Sequence, residues 1–85
     1  MAPYRVMVAR EILTQAKPSM SERRRLLALL DSLASDPFQA GDFQEDDGEG
    51  RPVQVRVIGR YALTFWADHA AKEVKVTKMI QADLE

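Results

Sequence analysis

The sequence predicts an α+β domain: one strand, a two-helix hairpin, then a three-stranded antiparallel meander, with the helices packed on one face of the sheet. Three observations carry that prediction. Tyr4-Arg5-Val6-Met7-Val8 alternates bulky apolar side chains with others, which is the period of a strand. Between Arg10 and Leu33 the apolar residues recur at helical spacing instead, with an interruption at Pro18. From Val53 to Val76 strict alternation returns, in runs separated by turn residues.

The first strand sets Tyr4, Val6 and Val8 on one side. Arg10 to Lys17 then lines up Ile12, Leu13 and Ala16 along one side of a short helix. Pro18 ends it, because proline disfavours helical geometry in the residue before it. Ser19-Met20-Ser21-Glu22 reads as a capping box that starts a second helix, with Ser21 as the alternative cap. Leu26, Leu27, Leu29, Leu30 and Leu33 make a stripe wide enough to face both a sheet and the first helix, and Asp36-Pro37 closes the element. Arg23, Arg24 and Arg25 diverge by about 100° each around this helix and form no single patch; Arg24 and Arg25 are expected to point outward, serving solubility, with one or the other paired to a nearby carboxylate. Phe38 to Gly50 reads as an acidic loop carrying Asp42, Glu45, Asp46, Asp47 and Glu49, tacked to the body by Phe38 and Phe43.

In the meander, Val53, Val55 and Val57 alternate with Gln54 and Arg56, while Tyr61, Leu63 and Phe65 alternate with Ala62, Thr64 and Trp66. Val74 and Val76 alternate with Lys75 and Thr77, and Met79-Ile80 extends the last strand. A plain two-residue turn at Gly59-Arg60 would pair Ile58 with Tyr61 and put Val57 opposite Ala62; a bulge at Gly59 is preferred, because it pairs Val57 with Tyr61, Val55 with Leu63 and Val53 with Phe65 and keeps the valines beside the large hydrophobes. On that register the covered face takes Tyr4, Val6, Val8, Val53, Val55, Val57, Leu63, Phe65, Val74 and Val76. The open face presents Arg5, Met7, Gln54, Arg56, Thr64, Trp66, Lys75 and Thr77.

Eighty-five residues leave room for a single domain, 1–85. Twelve basic against thirteen acidic residues give a net charge of −1, so contact with nucleic-acid phosphates would have to come from a local patch. The absence of cysteine excludes disulfides, thiolate metal sites and thiol nucleophiles, and fits a cytoplasmic location. The longest uninterrupted apolar run, Leu26 to Leu30, is far too short to span a bilayer, and no secretory signal pattern is present. The acidic stretch lacks the ligand spacing of a calcium loop, so no metal and no cofactor are expected. His69, the sole histidine, falls in the turn Asp68-His69-Ala70-Ala71, where a lone imidazole is usually solvated.

Read together, these elements resemble the RelE/ParE toxin superfamily, the toxins of type II toxin–antitoxin (plasmid stabilisation) systems. The likeness rests on the opening Tyr4-Arg5-Val6, the leucine-rich helix running into Ser32-Leu33-Ala34-Ser35-Asp36-Pro37, and the approach Gly50-Arg51. It extends through the hairpin Val55-Arg56-Val57-Ile58-Gly59-Arg60-Tyr61-Ala62-Leu63 and the strand Glu73-Val74-Lys75-Val76-Thr77-Lys78-Met79-Ile80. The resemblance implies a RelE/ParE-like fold and a toxin-like subunit that binds a cellular target, the ribosome with messenger RNA or DNA gyrase, and is neutralised by an antitoxin protein. The antitoxin is expected to lay an apolar segment in a groove beside the helices or to add a strand at the sheet edge. Alternatives are a ribosome-dependent messenger RNA endonuclease of RelE type and a non-toxic homologue that forms a homodimer through the Trp66 face.

RelE-type ribonucleases tend to carry an arginine after the hairpin aromatic and a basic residue followed by tyrosine near the C-terminus. Here the first position is Ala62, and the chain closes Ile80-Gln81-Ala82-Asp83-Leu84-Glu85. Binding is therefore expected ahead of cleavage. Were the chain a metal-free ribonuclease, Arg56, Lys75 and Arg60 would supply the cations for developing phosphorane charge, Arg56 matching the family's basic strand position best. Arg51, Gln54, Arg56, Thr64, Trp66 and Thr77 are the candidate contacts to nucleic acid or a partner, with Trp66 available to stack on a base. Arg51, Arg56 and Arg60 read as one basic group along the hairpin.

Overall fold

A computed structural model describes residues 3–81 of the chain, the Leu13 side chain excepted. The elements are β1 (Arg5–Val8), α1 (Arg10–Gln15), α2 (Met20–Ser35), β2 (Phe43–Asp46), β3 (Pro52–Ile58), β4 (Tyr61–Asp68) and β5 (Glu73–Gln81). The expectation for Leu13 and the closing residues 82–85 lie outside the described residues.

The two helices start and stop for the anticipated reasons. Ser19, not Ser21, caps α2: its hydroxyl accepts from the Glu22 N–H at 3.1 Å, and its own N–H donates to Glu22 Oε1 at 2.8 Å. Two of the helix's orphan donors are thereby satisfied. α2 ends at Ser35, where the Asp36 N–H still reaches back to the Ser32 carbonyl. α1 is shorter than expected and finishes at Gln15, with Ala16 already extended.

The strands form one sheet in the order β1-β5-β4-β3-β2. β1 lies parallel to β5, with Val6 opposite Val74 and Val8 opposite Val76, and the other neighbours are antiparallel. The meander therefore has four strands, not three. β2 occupies part of the span that reads as a loop, and all four of its side chains are exposed. Its polar Phe-Gln-Glu-Asp sequence has no apolar alternation to announce it. It is held by pairing with β3, Phe43 opposite Val55 and Glu45 opposite Val53.

The register of the β3–β4 hairpin corrects the expectation of a bulge at Gly59. Ile58 pairs directly with Tyr61, Arg56 with Leu63 and Gln54 with Phe65 across a plain two-residue turn. Gly59 has φ +58°, and Arg60 is not in the positive-φ region, the pattern of a two-residue hairpin turn with glycine in first place. The irregularity lies elsewhere. Thr64 pairs with Lys78 but Phe65 with Val76, which leaves Thr77 as an extra residue in β5. That bulge lets Val74 and Val76 face the same way as Met79, three residues further on.

Which side chains share the helix-covered face changes accordingly. Ile12 of α1 and Leu29 and Leu33 of α2 form one cluster with Ile58, Leu63, Phe65, Val74 and Val76. Leu33 and Val74 have no solvent exposure at all. Val53, Val55 and Val57 turn to the opposite face, beside Thr64 and Trp66. Val53, Val55 and Thr64 are nonetheless buried, so the sheet conceals side chains on both faces where β2 and β3 pair.

Candidate functional site

Arg56 does not stand beside Lys75. Its place opposite Leu63 sends it to the helix-covered side, where an Nη2 N–H donates to the Ala40 carbonyl at 3.0 Å and approaches Gln39 Oε1 at 3.5 Å. Its Nε is buried without a hydrogen-bond partner. Arg25, Asp42 and Arg56 line a cleft of about 220 Å3 there. Gln54 also faces the helix side: its Oε1 accepts from the Gly41 N–H at 2.9 Å, and its Nε2 donates to Gln44 Oε1 at 3.3 Å. Both side chains secure the segment that enters β2. Asp42 adds to this by accepting the Val57 N–H on Oδ2 at 2.7 Å.

Arg60 sits in the hairpin turn and is bound to the start of α2. Its backbone N–H donates to Glu22 Oε2 at 2.8 Å, its Nε to the same oxygen at 3.2 Å and its Nη2 to Oε1 at 3.2 Å. Hydrogen bonds from the Arg60 guanidinium, joined by the Ser19 and Arg60 backbone N–H groups, hold the Glu22 carboxyl at about 2 against an ordinary 4.5. The same pairing pushes the Arg60 guanidinium up. The sequence marks Glu22 only as a capping partner, because an acidic residue at that helical position signals capping and nothing about the distant Arg60.

The opposite face carries Arg51, Thr64, Trp66 and Lys75. The Arg51 guanidinium lies over the Trp66 ring, 4.0 Å from its centroid, and Lys75 Nζ stands 5.2 Å from the same centroid. Each cation is also matched by a carboxylate, Arg51 by Asp47 at 3.5 Å and Lys75 by Asp68 at 3.0 Å. The Lys75 ammonium holds the Asp68 carboxyl below its usual range. Backbone N–H donation from Glu49, then Arg51, lowers that of Asp47. Thr64 is buried beneath this group, and Thr77 is exposed at the bulge. Val53, Thr64, Trp66, Lys78 and the acidic turn at Asp46-Asp47 line a cleft of about 250 Å3 on this face.

The predicted catalytic cations are thus separated. Arg56 faces the helices, Arg60 is engaged in the turn, and Lys75 is on the outer face. The hairpin arginines 51, 56 and 60 likewise form no single patch. Arg23, Arg24 and Arg25 are exposed, and none belongs to the four ion pairs found among the described residues. His69 is exposed in its turn but stacks on Phe38, ring centroids 4.5 Å apart, and Tyr4 meets Phe38 edge-on at 5.7 Å. No group of three or more potential metal ligands occurs among the described residues. No helix among them is long and apolar enough to cross a membrane.

Beside the helices runs an apolar groove of about 280 Å3 between α1, α2 and β5, lined by Ile12, Leu26, Leu27, Leu30 and Met79. Leu27 is 58% exposed in it, so the leucine stripe is broader than the core requires.

With this geometry in hand, the chain superposes on a chain of the archaeal RelE–RelB complex from Pyrococcus horikoshii OT3. The TM-score is 0.76 at 18% identity, over 98% of this chain and 99% of that one. The fold is RelE-like. No family model matches the sequence, and no curated protein does.

Proposed function

We propose that this protein is a toxin-like subunit of a type II toxin–antitoxin system, one that acts by binding a cellular target and is neutralised by an antitoxin. The observation that carries the reading is the end-to-end fold likeness to a chain of a RelE–RelB complex. The exposed Leu27 of the apolar groove supports it, since unpartnered apolar surface on a small domain favours a bound protein segment. Membership of the RelE/ParE superfamily, a plasmid-stabilisation role and a cytoplasmic location belong to the same proposal.

Binding is preferred to RNA cleavage because the candidate cations do not converge. A transferring phosphoryl group needs positive charge gathered at one point, and here Arg60 and Lys75 are each offset by a carboxylate while Arg56 faces elsewhere. Inducing the chain in a bacterial host tests the reading. Growth arrest is expected, relieved by co-expressing the product of an adjacent small gene, which should co-purify with the chain. Harmless expression with no such partner would refute it. New transcript ends that disappear in Arg56→Ala would establish the nuclease alternative instead.

A further inference from the structure

α2 carries more apolar surface than the core uses. Glu22, Leu29 and Leu33 are its buried residues and mark the side that faces inward. Met20 is 71% exposed and Leu27 58% exposed, two of the large hydrophobics left open among the described residues. At 3.6 residues per turn, Met20, Arg23, Leu27, Leu30, Asp31 and Ala34 fall within an arc of about 100°, on a different flank from Leu29 and Leu33.

The side chains along this arc are arranged symmetrically about Leu27. Arg23 lies four residues before it and Asp31 four residues after, each about 6 Å away along the helix axis. Both are exposed, and neither belongs to an ion pair among the described residues. The helix can be laid antiparallel on a second copy of itself, with a two-fold axis through Leu27. Each Leu27 then meets the other, each Arg23 faces the second copy's Asp31, and each Met20 faces the second copy's Ala34. A parallel arrangement would set Arg23 against Arg23 and Asp31 against Asp31. An unrelated partner would have no use for a charge pattern that is its own complement.

We propose that α2 is a self-association surface, through which two copies of the chain pair antiparallel about Leu27. Two Arg23–Asp31 ion pairs then flank an apolar centre, and their signs fix the direction of pairing. A single helix pair falls below the roughly 1,200 Å2 that a stable interface buries, so the dimer dissociates on dilution. A segment of another protein laid over Leu27 would exclude the second copy, which makes the dimer the state of the chain without a partner. The proposal stands apart from the toxin reading, since a chain harmless to its host would pair in the same way.

Sedimentation of the full chain over about a hundredfold range of concentration is expected to show a reversible monomer–dimer equilibrium. The chain has no cysteine, so one introduced thiol reports its own position. Leu27→Cys, on the axis, should form a disulfide-linked dimer under mild oxidation, because a disulfide needs Cα atoms within roughly 7 Å of each other. Ala28→Cys, exposed one residue further round the helix, should not. Arg23→Asp and Asp31→Arg should each raise the dissociation constant of the dimer about tenfold, since either change touches both ion pairs. The double swap should return it to within about threefold of the wild type. Both swaps place charge in the sense the helix dipole favours, so the fold is kept, as circular dichroism verifies. Should a charge variant fail to fold, the two thiol variants still decide. The proposal is overturned if the chain stays monomeric across the range, if Ala28→Cys links as readily as Leu27→Cys, if the double swap restores nothing, or if Trp66→Ala abolishes a dimer that Leu27→Asp leaves intact.

Discussion

Gly59 offers the sharpest check on how the hairpin is fastened to α2. Its φ of +58° is a conformation that costs a non-glycine residue about 1–2 kcal/mol. Asparagine tolerates that region better than alanine, so in an ordinary turn Gly→Asn would recover part of the loss. Here a second term is present. A Cβ at residue 59 would collide with the Glu22 carboxylate, lying 2.6 Å from its Cγ and 2.9 Å from its Cδ. Asparagine carries the same Cβ and meets the same obstacle. Moving the carboxylate aside breaks its bonds to the Arg60 N–H and to Ser19. We expect Gly59→Ala and Gly59→Asn both to destabilise by more than the backbone term alone. For a domain of this size that corresponds to a fall in Tm of about 8 °C or more. In a Glu22→Ala background, where the obstacle is gone, the additional cost of Gly59→Asn should shrink markedly. Urea and thermal denaturation of the four proteins in the double-mutant cycle measure this coupling. A Gly59→Asn protein within about 0.5 kcal/mol of the wild type, an ordinary surface effect, would refute the argument.

Other expectations follow from the same geometry. Leu33→Ala, at a position with no exposure in the centre of the core, should cost about 2–5 kcal/mol in denaturant unfolding, against little for Leu27→Ala in the exposed groove. Ser19→Ala removes the α2 cap and should cost about 0.5–2 kcal/mol, also read from urea curves. Because the Glu22 carboxyl is depressed in the folded chain, its contribution is complete above its ordinary 4.5 and is lost as pH falls toward about 2. Asp47 and Asp68, lowered in the same sense, add to that acid loss. Stability measured through this window should fall less steeply in Glu22→Gln; an identical slope would show that Glu22 carries none of it.

The elements legible in the sequence are those whose signals are local. The capping box at Ser19, the stop at Pro18 and the helical leucine spacing each act within a turn or two, and α2 follows them closely. The register of β3 was not legible, because Pro52 to Ile58 buries side chains on both faces. With Val53 and Val55 hidden on one side and Ile58 on the other, alternation alone does not say which face meets the helices. The deciding features are the two-residue turn, which Gly59-Arg60 allows beside a bulge without choosing between them, and the extra residue at Thr77, which leaves no pattern in the sequence. β2 was missed for a related reason: an exposed polar strand is defined by the neighbour it pairs with. The candidate site inherited the register error. Placing Arg56 on the face of Trp66 and Lys75 followed from moving one strand by one residue, which reverses every side chain along it.

The parallel contact between β1 and β5 bears on how the molecule assembles. β5 comes after every other element in the chain, yet it lies inside the sheet between β1 and β4. Arg5 meets Glu73, sixty-eight positions away, through an ion pair of 2.6 Å as well as through the ladder. β1 therefore has no neighbouring strand until the distant one arrives, while α2 already meets β3 and the β3–β4 turn. During synthesis the early segments must wait with apolar side chains uncovered, and closure demands a long-range encounter that local turns cannot hasten. A slow final closure is the natural cost of threading the latest strand into the middle.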